Sequence, residues 1–243
     1  FQTMAKQAMN EIYSHNKVPI ITGGTGFYIQ ALLYDIDFKE NDEKNPVREE
    51  LEQLAEKLGE NAPQVLHQKL QEVDPEAAAQ IHANNIKRVI RAIEYFKQTG
   101  EKISQHNEEM HQKDSPYNFL YYVLTRDRKV LYERIDRRVD IMMENGLVDE
   151  VKKLKDMGCH RGQTSMQGLG YKEILDYLDG GCTLEEAVYI LKRDTRHFAK
   201  RQLTWFRREK DVRWLDLDQY QGNADLILAD ILKDCEQAEI VLK

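Results

Sequence analysis

Three short runs of β-prone residues, far apart in the chain, constrain the fold most strongly. Residues 18–22, 119–125 and 212–217 are almost continuously apolar or β-prone, without a clean alternation of polar and apolar positions. Such runs are typical of strands that are buried on both faces of a parallel sheet. The long stretches between them have helical periodicity, and parallel strands need crossover connections of that kind. The sequence therefore predicts an α/β protein with a parallel sheet.

Helical patterns fill the segments between these runs. Residues 36–115 contain no convincing strand, and three helices are predicted there: one opened by Pro46, one opened by Pro63, and one over residues 85–95 with an apolar face. A long helical pattern over residues 129–154 should break at Gly146, because glycine commonly ends a helix. We therefore predict a helical insertion domain at residues 36–115, within an α/β core formed by residues 1–35 and 116–243.

Composition and residue spacing exclude several classes of protein. The formal net charge is −7. The sequence has no run of about 18 apolar residues, the length needed to span a bilayer, and no secretory signal pattern. Cys159, Cys182 and Cys235 are widely spaced, which argues against a disulfide framework and a zinc site. The seven histidines form no metal-spaced set. The sequence predicts a cytoplasmic protein without a membrane segment or a metal site of its own.

A basic stretch near the C-terminal end contrasts with the acidic average. Residues 192–213 carry nine Lys or Arg against three Asp or Glu, and "HFAKRQLTWFRR" interleaves Phe198, Trp205 and Phe206 with basic side chains. Aromatic faces that stack on bases and guanidinium groups that bind phosphate are the ingredients of single-stranded RNA recognition. The alternative left open by composition is that Trp205 and Phe206 are core residues with basic side chains around them.

Two pairs of cationic residues at helical spacing each allow two interpretations. In "NNIKRVIRAIEYF", Lys87 and Arg91 are four residues apart and share a helix face, which suits successive phosphates. An ordinary solvated face with Arg91 paired to Glu94 is the alternative. Arg134 and Arg138 have the same spacing and could clamp a diphosphate, or could form surface ion pairs with neighbouring carboxylates.

Two glycine-containing turns indicate close approach of the backbone to another group. In "GGTGFYIQALL", Gly23, Gly24 and Gly26 are not followed by the Lys and Ser or Thr of a phosphate loop, and they do not make the dinucleotide pattern. In "TSMQGLGYKEI", glycines follow Gln167 and would let the backbone approach a ligand. The alternative for the second turn is a simple cap on a helix over residues 171–178.

Five stretches, in one order, resemble the tRNA dimethylallyltransferases, also called tRNA isopentenyltransferases. They are "GGTGFYIQALL", "VDPEAAAQIHANNIKRVIRAIEYF", "LYERIDRRVDIMMENGLVDEV", "GLGYKEI" and "AKRQLTWFR", and together they extend over most of the chain, from residue 23 to residue 207. The resemblance implies transfer of a dimethylallyl group from dimethylallyl diphosphate to the exocyclic 6-amino group of the adenosine 3′ of the tRNA anticodon. It also implies a fold like that of P-loop nucleoside-triphosphate proteins, with a helical insertion that binds the anticodon stem-loop.

The resemblance further implies partners and contact residues. The tRNA anticodon stem-loop and dimethylallyl diphosphate are the expected partners, Mg²⁺ accompanies the diphosphate, and the protein is expected to be a monomer. Arg134 and Arg138 are the candidates for diphosphate binding. The residues expected to contact tRNA are Thr25, Arg48, Lys87, Arg88, Val89, Ile90, Arg91, Gln167, Gly168, Leu169, Gly170, Tyr171, Lys172, Lys200, Arg201, Gln202, Leu203, Thr204, Trp205, Phe206 and Arg207.

Two elements of the family pattern do not occur in these 243 residues. One is the phosphate loop, G-x-x-x-x-G-K followed by Ser or Thr, and the other is a general-base Asp in an Asp-Ser-x-Gln stretch. We expect both upstream of Phe1, and therefore expect no catalytic residue in this chain and no catalysis by it alone. Three alternatives stay open: an adenylate isopentenyltransferase that modifies a free nucleotide, a non-catalytic RNA-binding module, and a nucleotide kinase.

Overall fold

The computed structural model describes residues 1–36 and 45–240. The chain divides into two units. The first, which we call the helical unit, comprises Phe1–Lys6 and Phe27–Tyr117. The second, which we call the α/β unit, comprises Gln7–Gly26 and the chain from Asn118 onward. The first helix, α1 (Gln2–Ser14), contributes residues to both units.

The helical unit contains helices whose ends follow from local sequence signals. They are α2 (Gly26–Leu33), α3 (Pro46–Leu58), α4 (Ala62–Val73), α5 (Pro75–Gln80), α6 (Ile86–Thr99) and α7 (Ile103–Gln112). Proline occupies an opening position of α3, α4 and α5, where its missing N–H would have no helical partner. Gly100 ends α6 in the left-handed conformation. The three predicted helices are confirmed as α3, α4 and α6, whereas the short α5 and the largely polar α7 lack the apolar periodicity that would have predicted them.

The core of the helical unit lies among α3, α4 and α6. Leu51, Leu66, Leu70, Val89 and Ile93 pack together and are each at most 2% exposed. The apolar stripe predicted for residues 85–95 therefore faces this core. Burying a side chain of this size contributes about 1.5–3 kcal/mol, so the packing of α6 against α3 and α4 stabilises the unit.

The α/β unit is built on two parallel strands. Strand β1 (Tyr121–Thr125) pairs with β2 (Val212–Asp216), with Tyr121 opposite Val212 and Thr125 opposite Asp216. The crossover carries α8 (Arg128–Glu144), α9 (Leu147–Asp156), α10 (Tyr171–Leu178) and α11 (Leu184–Phe206), and α12 (Ala224–Gln237) follows β2. Gly146 has φ +90° between α8 and α9, which confirms the predicted break. Among the described residues the protein is thus mostly helical, with a two-stranded parallel sheet.

The third predicted strand, residues 18–22, is not formed. The segment has no regular secondary structure, and Ile20 is 82% exposed. A strand requires ladder hydrogen bonds to a neighbour, and within the described residues β1 and β2 pair only with each other. The prediction of a strand here, from composition alone, was wrong for this structure.

The structure also bears on two expectations from the sequence, the lack of a membrane-spanning segment and the lack of disulfide bonds. No helix within residues 1–36 and 45–240 is long and apolar enough to cross a bilayer. Cys159, Cys182 and Cys235 are free thiols, and Cys235 is buried. Burial and a hydrogen bond to Asp176 raise the pKa of the Cys182 thiol, which keeps it protonated near neutral pH.

Candidate functional site

Helix α11 begins with a well-defined cap. The Thr183 side chain accepts a hydrogen bond from the Glu186 N–H at 3.2 Å, and the Glu186 carboxylate accepts one from the Thr183 N–H at 2.8 Å. This reciprocal pair satisfies two N–H groups that the helix itself leaves without partners. The cap fixes the start of a 23-residue helix whose far end carries "AKRQLTWF".

The basic stretch on α11 falls into two parts with different surroundings. Toward the middle of the helix, Lys192 pairs with Asp140 and Arg196 pairs with Asp136, both on α8. These basic residues join α11 to α8. Toward the C-terminal end, the exposed polar and basic side chains are Lys200, Arg201, Thr204, Arg207 and Arg208, and we call these five residues the α11 basic face.

An open cleft of about 410 Å³ lies along this end of α11. Its lining residues are His197, Lys200, Arg201, Thr204, Trp205 and Arg208. They recur three or four positions apart, which places them on one side of the helix. Cationic side chains beside a half-buried indole give this surface groups for phosphate and a face for a base.

The aromatic residues of α11 differ in their placement. Phe206 is buried and packs edge-on against Tyr121 of β1, with ring centroids 6.3 Å apart. Phe198 is 40% exposed, and the Arg201 guanidinium lies over its ring at 5.6 Å. Trp205 is half-buried. The two interpretations of this segment therefore hold for different residues: Phe206 belongs to the core, while Trp205 and the basic face border the cleft.

The first glycine turn packs directly against α11. The Gly24 carbonyl accepts a hydrogen bond from Gln202 Nε2 at 2.8 Å. Gly26 lies against the Trp205 indole so closely that a Cβ at this position would overlap Cδ1, Nε1 and Cγ of the ring. Thr25, between them, is exposed. The glycines thus allow the backbone to contact α11, and this contact places the Thr25 residue beside Gln202 and Trp205.

The second glycine turn caps α10 and also reaches α11. Gly170 has φ +102°, and its N–H donates to Glu173 Oε2 at 2.9 Å. Lys172 Nζ lies 3.3 Å from Glu173 Oε1 and 3.6 Å from Asp194 Oδ2 on α11. The capping interpretation is confirmed, and the ion pair shows that residue 172 lies beside α11.

The other predicted residues of this turn are mostly at the surface. Gln167 and Gly168 are exposed, and Gln167 Nε2 donates to the Arg161 carbonyl. The Tyr171 hydroxyl donates to the Glu150 carboxylate, and this hydrogen bond raises the pKa of Tyr171. Leu169 is half-buried and packs against the core of the α/β unit. The exposed groups of this turn are thus mainly those of Gln167 and Gly168.

The remaining predicted tRNA contacts lie in the helical unit. Lys87 and Arg88 are exposed at the start of α6, whereas Val89 and Ile90 are buried core residues whose side chains cannot reach a ligand. Arg91 Nη1 donates to Glu94 Oε2 at 3.2 Å, which confirms the pairing considered for this face.

Arg48 is the last of the predicted tRNA contacts in the helical unit. Its Nη2 donates to Glu94 Oε2 at 2.7 Å, so the structure brings together two arginines that are 43 positions apart in the chain. Burial alone would raise the pKa of Glu94, but hydrogen bonds from Arg48, Arg91 and Asn45 hold it below its usual value. The carboxylate is therefore ionised at neutral pH.

Arg134 and Arg138 are both exposed on α8, one turn apart. Asp140, which could have paired with them, instead pairs with Lys192 at 2.5 Å. The assignment of these two arginines to a diphosphate stays a prediction.

Three participants are not among the expected tRNA contacts. His197 and Arg208, which belong to the basic stretch noted in the sequence, line the cleft at the C-terminal end of α11, and Asn45 donates to Glu94 at the start of α3. The signal for the first two was available, since His197 precedes Arg201 by four positions and Arg208 follows it by seven. No such signal existed for Asn45, which is 49 residues from Glu94.

A resident metal ion would need several donor side chains close together. Within residues 1–36 and 45–240, no group of three His, Cys, Asp or Glu side chains could hold an ion. The donor set in this part of the chain therefore does not fit a resident metal.

Comparison with known proteins identifies the family. A family model described as IPP transferase matches residues 1–209. The chain is 59% identical over 241 residues to a tRNA dimethylallyltransferase of Lachnoclostridium phytofermentans, covering 99% of this chain and 76% of that protein. A second tRNA dimethylallyltransferase, of Acetivibrio thermocellus, is 48% identical over 227 residues, which are 93% of this chain and 72% of that protein.

Solved structures agree with these relatives. The full-length tRNA isopentenylpyrophosphate transferase of Bacillus halodurans is 42% identical, with a TM-score of 0.62 over 98% of this chain and 74% of that one. A eukaryotic dimethylallyltransferase acting on tRNA is 27% identical, with a TM-score of 0.76 over 100% of this chain and 62% of that one. The resemblance drawn from the five sequence stretches is confirmed, and the chain belongs to the IPP transferase family.

Proposed function

We propose that this protein is a tRNA dimethylallyltransferase, which transfers a dimethylallyl group from dimethylallyl diphosphate to the 6-amino group of the adenosine 3′ of the anticodon. The structural observation that carries the proposal is that both glycine turns contact helix α11. The Gly24–Gly26 turn contacts Gln202 and Trp205 beside the α11 basic face, and Lys172 contacts Asp194 nearer the middle of the same helix. The chain belongs to the IPP transferase family, and this membership indicates the reaction for which the surface would bind its substrate.

The α11 basic face would bind the RNA backbone. Exposed Lys200, Arg201 and Arg207 can each neutralise a phosphate, and release of the displaced counterions favours binding at low salt. The half-buried Trp205 ring packs against Gly26, and the neighbouring Thr25 is exposed, so an unstacked base could meet an aromatic face and a hydrogen-bonding group here. The phosphate contacts would offset the few kcal/mol needed to extrude the base.

The transfer step has its own requirements. The 6-amino group is conjugated with the adenine ring and is a weak nucleophile, so a carboxylate must accept its proton as the new N–C bond forms. The departing diphosphate needs cationic and N–H groups around its developing charge. Arg134 and Arg138 on α8 are proposed for that task, and the proposed Mg²⁺ arrives as part of the diphosphate substrate.

The finer expectations about the fold and its setting belong to the same proposal. A P-loop-type core is consistent with two parallel strands joined by a helical crossover. Action in the cytoplasm is consistent with three free cysteines and with a substrate that is a cellular RNA, and we also propose that the protein acts as a monomer. Sedimentation of the full-length protein with and without stem-loop RNA tests the monomer directly.

The decisive assay uses the full-length protein with labelled dimethylallyl diphosphate. We expect label to enter an anticodon stem-loop RNA and to be absent when the adenosine 3′ of the anticodon is replaced by guanosine. Transfer to free adenosine monophosphate and not to the stem-loop would overturn the proposal in favour of an adenylate isopentenyltransferase. Transfer of phosphate from ATP without dimethylallyl transfer would identify a kinase, and stem-loop binding without any transfer would identify a binding module.

A further inference from the structure

Glu94 is a fully buried carboxylate that faces three donors in the helical unit. Its exposed fraction is 0%, and it accepts hydrogen bonds from Asn45 Nδ2 at 2.5 Å, Arg48 Nη2 at 2.7 Å and Arg91 Nη1 at 3.2 Å. The donors come from the start of α3 and from α6. One carboxylate therefore ties together two helices.

The geometry of the two arginines is the unusual part of this cluster. Both donate to the same oxygen, Oε2, so their guanidinium groups are held close together despite their equal charge. The side chain of Arg48 is 38% exposed and that of Arg91 is 32% exposed, while the carboxylate between them is shielded from solvent. A guanidinium carries five N–H donors in a fixed fork, so an arginine that donates to Glu94 has further N–H groups with which it can donate to an anion.

A buried ion pair is weak evidence for stability, because apolar residues of similar volume often stabilise a core equally well. A role in stability alone would therefore not require a carboxylate at position 94. The placement of Lys87 and Arg88, both exposed at the start of α6, adds cationic groups on the same helix. These two side chains and the two partly exposed arginines of the cluster could therefore bind a polyanion, whereas the exposed carboxylates Glu49 and Glu50 on α3 could not.

We propose that Glu94 is a positioning residue that holds Arg48 and Arg91 as a paired clamp for RNA phosphate groups. The proposal rests on the proposed function, together with the expectation from the family resemblance that the helical unit binds the anticodon stem-loop. Asn45 supports the arrangement, since its Oδ1 caps α3 by accepting from the Val47 N–H at 3.0 Å while its Nδ2 holds Glu94. The start of α3, and with it Arg48, is thereby fixed relative to α6.

The direction in which Glu94→Gln changes RNA affinity distinguishes a positioning role from a simple effect of charge. Glu94→Gln removes a negative charge, which by long-range electrostatics alone would strengthen binding to RNA. If Glu94 positions the arginines, the same change releases them and weakens stem-loop binding by about tenfold, the equivalent of one charge-assisted hydrogen bond. The slope of log affinity against log salt should also become shallower, by about 0.7–0.9 for each phosphate that the arginines no longer neutralise.

The control is a second buried carboxylate in the same unit. Asp74 is 0% exposed, caps α5 through the Ala77 N–H and accepts from Ser104, and within the described part of the chain it has no hydrogen bond to an arginine. Asp74→Asn should lower the stability of the protein as Glu94→Gln does, yet leave the stem-loop affinity of the folded protein unchanged. Equal loss of affinity in both variants would mean that destabilisation alone explains the effect, and would overturn the proposal.

Two further variants keep the test valid if Glu94→Gln does not fold. Arg48→Lys retains the charge but loses the fork, so we expect weaker binding, and wild-type affinity would contradict the clamp. In a protein that carries both Arg48→Ala and Arg91→Ala, Glu94→Gln should cause no further loss of affinity. Failure of the wild-type protein to bind the stem-loop would overturn the proposed function, whereas wild-type binding that Glu94→Gln leaves unchanged or strengthens would overturn the role of Glu94 alone.

Discussion

Substitution of Gly26 by alanine tests the contact between the first glycine turn and α11. A Cβ at position 26 would overlap the Trp205 ring, so the indole or the turn must move. Overpacking of this kind costs about 1–3 kcal/mol. Alanine is favoured over glycine within a helix by about 0.8–1 kcal/mol, and Gly26 is the first residue of α2. The clash should exceed this gain, so we expect a net loss of stability.

Gly23→Ala is the matched control, because no atom of the described residues would contact a Cβ built there within 4 Å. This substitution should leave the stability of the protein unchanged or raise it by about 0.4–1 kcal/mol, because alanine lowers the conformational entropy of the unfolded chain. Thermal unfolding can resolve the difference, since 1 kcal/mol shifts Tm by about 2–4 °C for a chain of this length. We also expect Gly26→Ala to weaken stem-loop binding.

The cost of Gly26→Ala should shrink when Trp205→Ala is already present, because the overlapping ring is then gone. If Gly26→Ala and Gly23→Ala unfold at the same temperature, or if Trp205→Ala does not reduce the cost, the packing of this turn against Trp205 is refuted.

Three other outcomes follow from the same structure. Arg201→Ala should weaken binding to every tRNA that the protein binds, and should reduce the slope of log affinity against log salt concentration by about 0.7–0.9. Lys152→Ala, at an exposed position on α9, should change neither. Binding titrations at several salt concentrations check both expectations. The pKa of Asp74 is lowered from its usual value by hydrogen bonds from Ser104 and Ala77 that outweigh its burial, so its stabilising contribution is present above about pH 4 and is lost as the pH falls through the lowered pKa. Urea unfolding between about pH 6 and about pH 3 should show a smaller acid-induced loss of stability for Asp74→Asn than for the wild type. Burial raises the pKa of Glu209, with a partial offset from Trp205, so ionisation of Glu209 opposes folding as the pH rises through the raised pKa, and Glu209→Gln should be more stable than the wild type at neutral pH.

Local signals predicted the helices well. Proline marked the start of α3, glycine marked the break between α8 and α9, and the apolar stripe of α6 identified Val89 and Ile93 as core residues before any contact was known. Pairing of β1 with β2 in parallel also followed from composition and from the long helical connection. Residues 18–22 have a similar composition to these strands, but a strand forms only where a neighbour completes its hydrogen bonds.

The candidate site could be predicted only in part, because its contacts join distant segments. The pairing of Arg91 with Glu94 is local, and sequence spacing sufficed to suggest it. Arg48 reaches the same carboxylate from 46 residues away, and Gln202 reaches Gly24 from 178 residues away. Such contacts depend on how α3 packs on α6 and on how the turn packs on α11, which no periodicity encodes.

The account places the anticodon loop against the α11 basic face, and a photo-crosslink tests this claim most directly. A photoreactive amino acid at position 204, where Thr204 is exposed beside the cleft, would be compared with the same group at position 152 on α9. The account predicts that position 204 crosslinks to nucleotides of the anticodon loop, that excess unlabelled stem-loop abolishes the crosslink, and that position 152 gives none. A crosslink from position 204 to another arm of tRNA, or none while the protein is bound to its stem-loop, would contradict it.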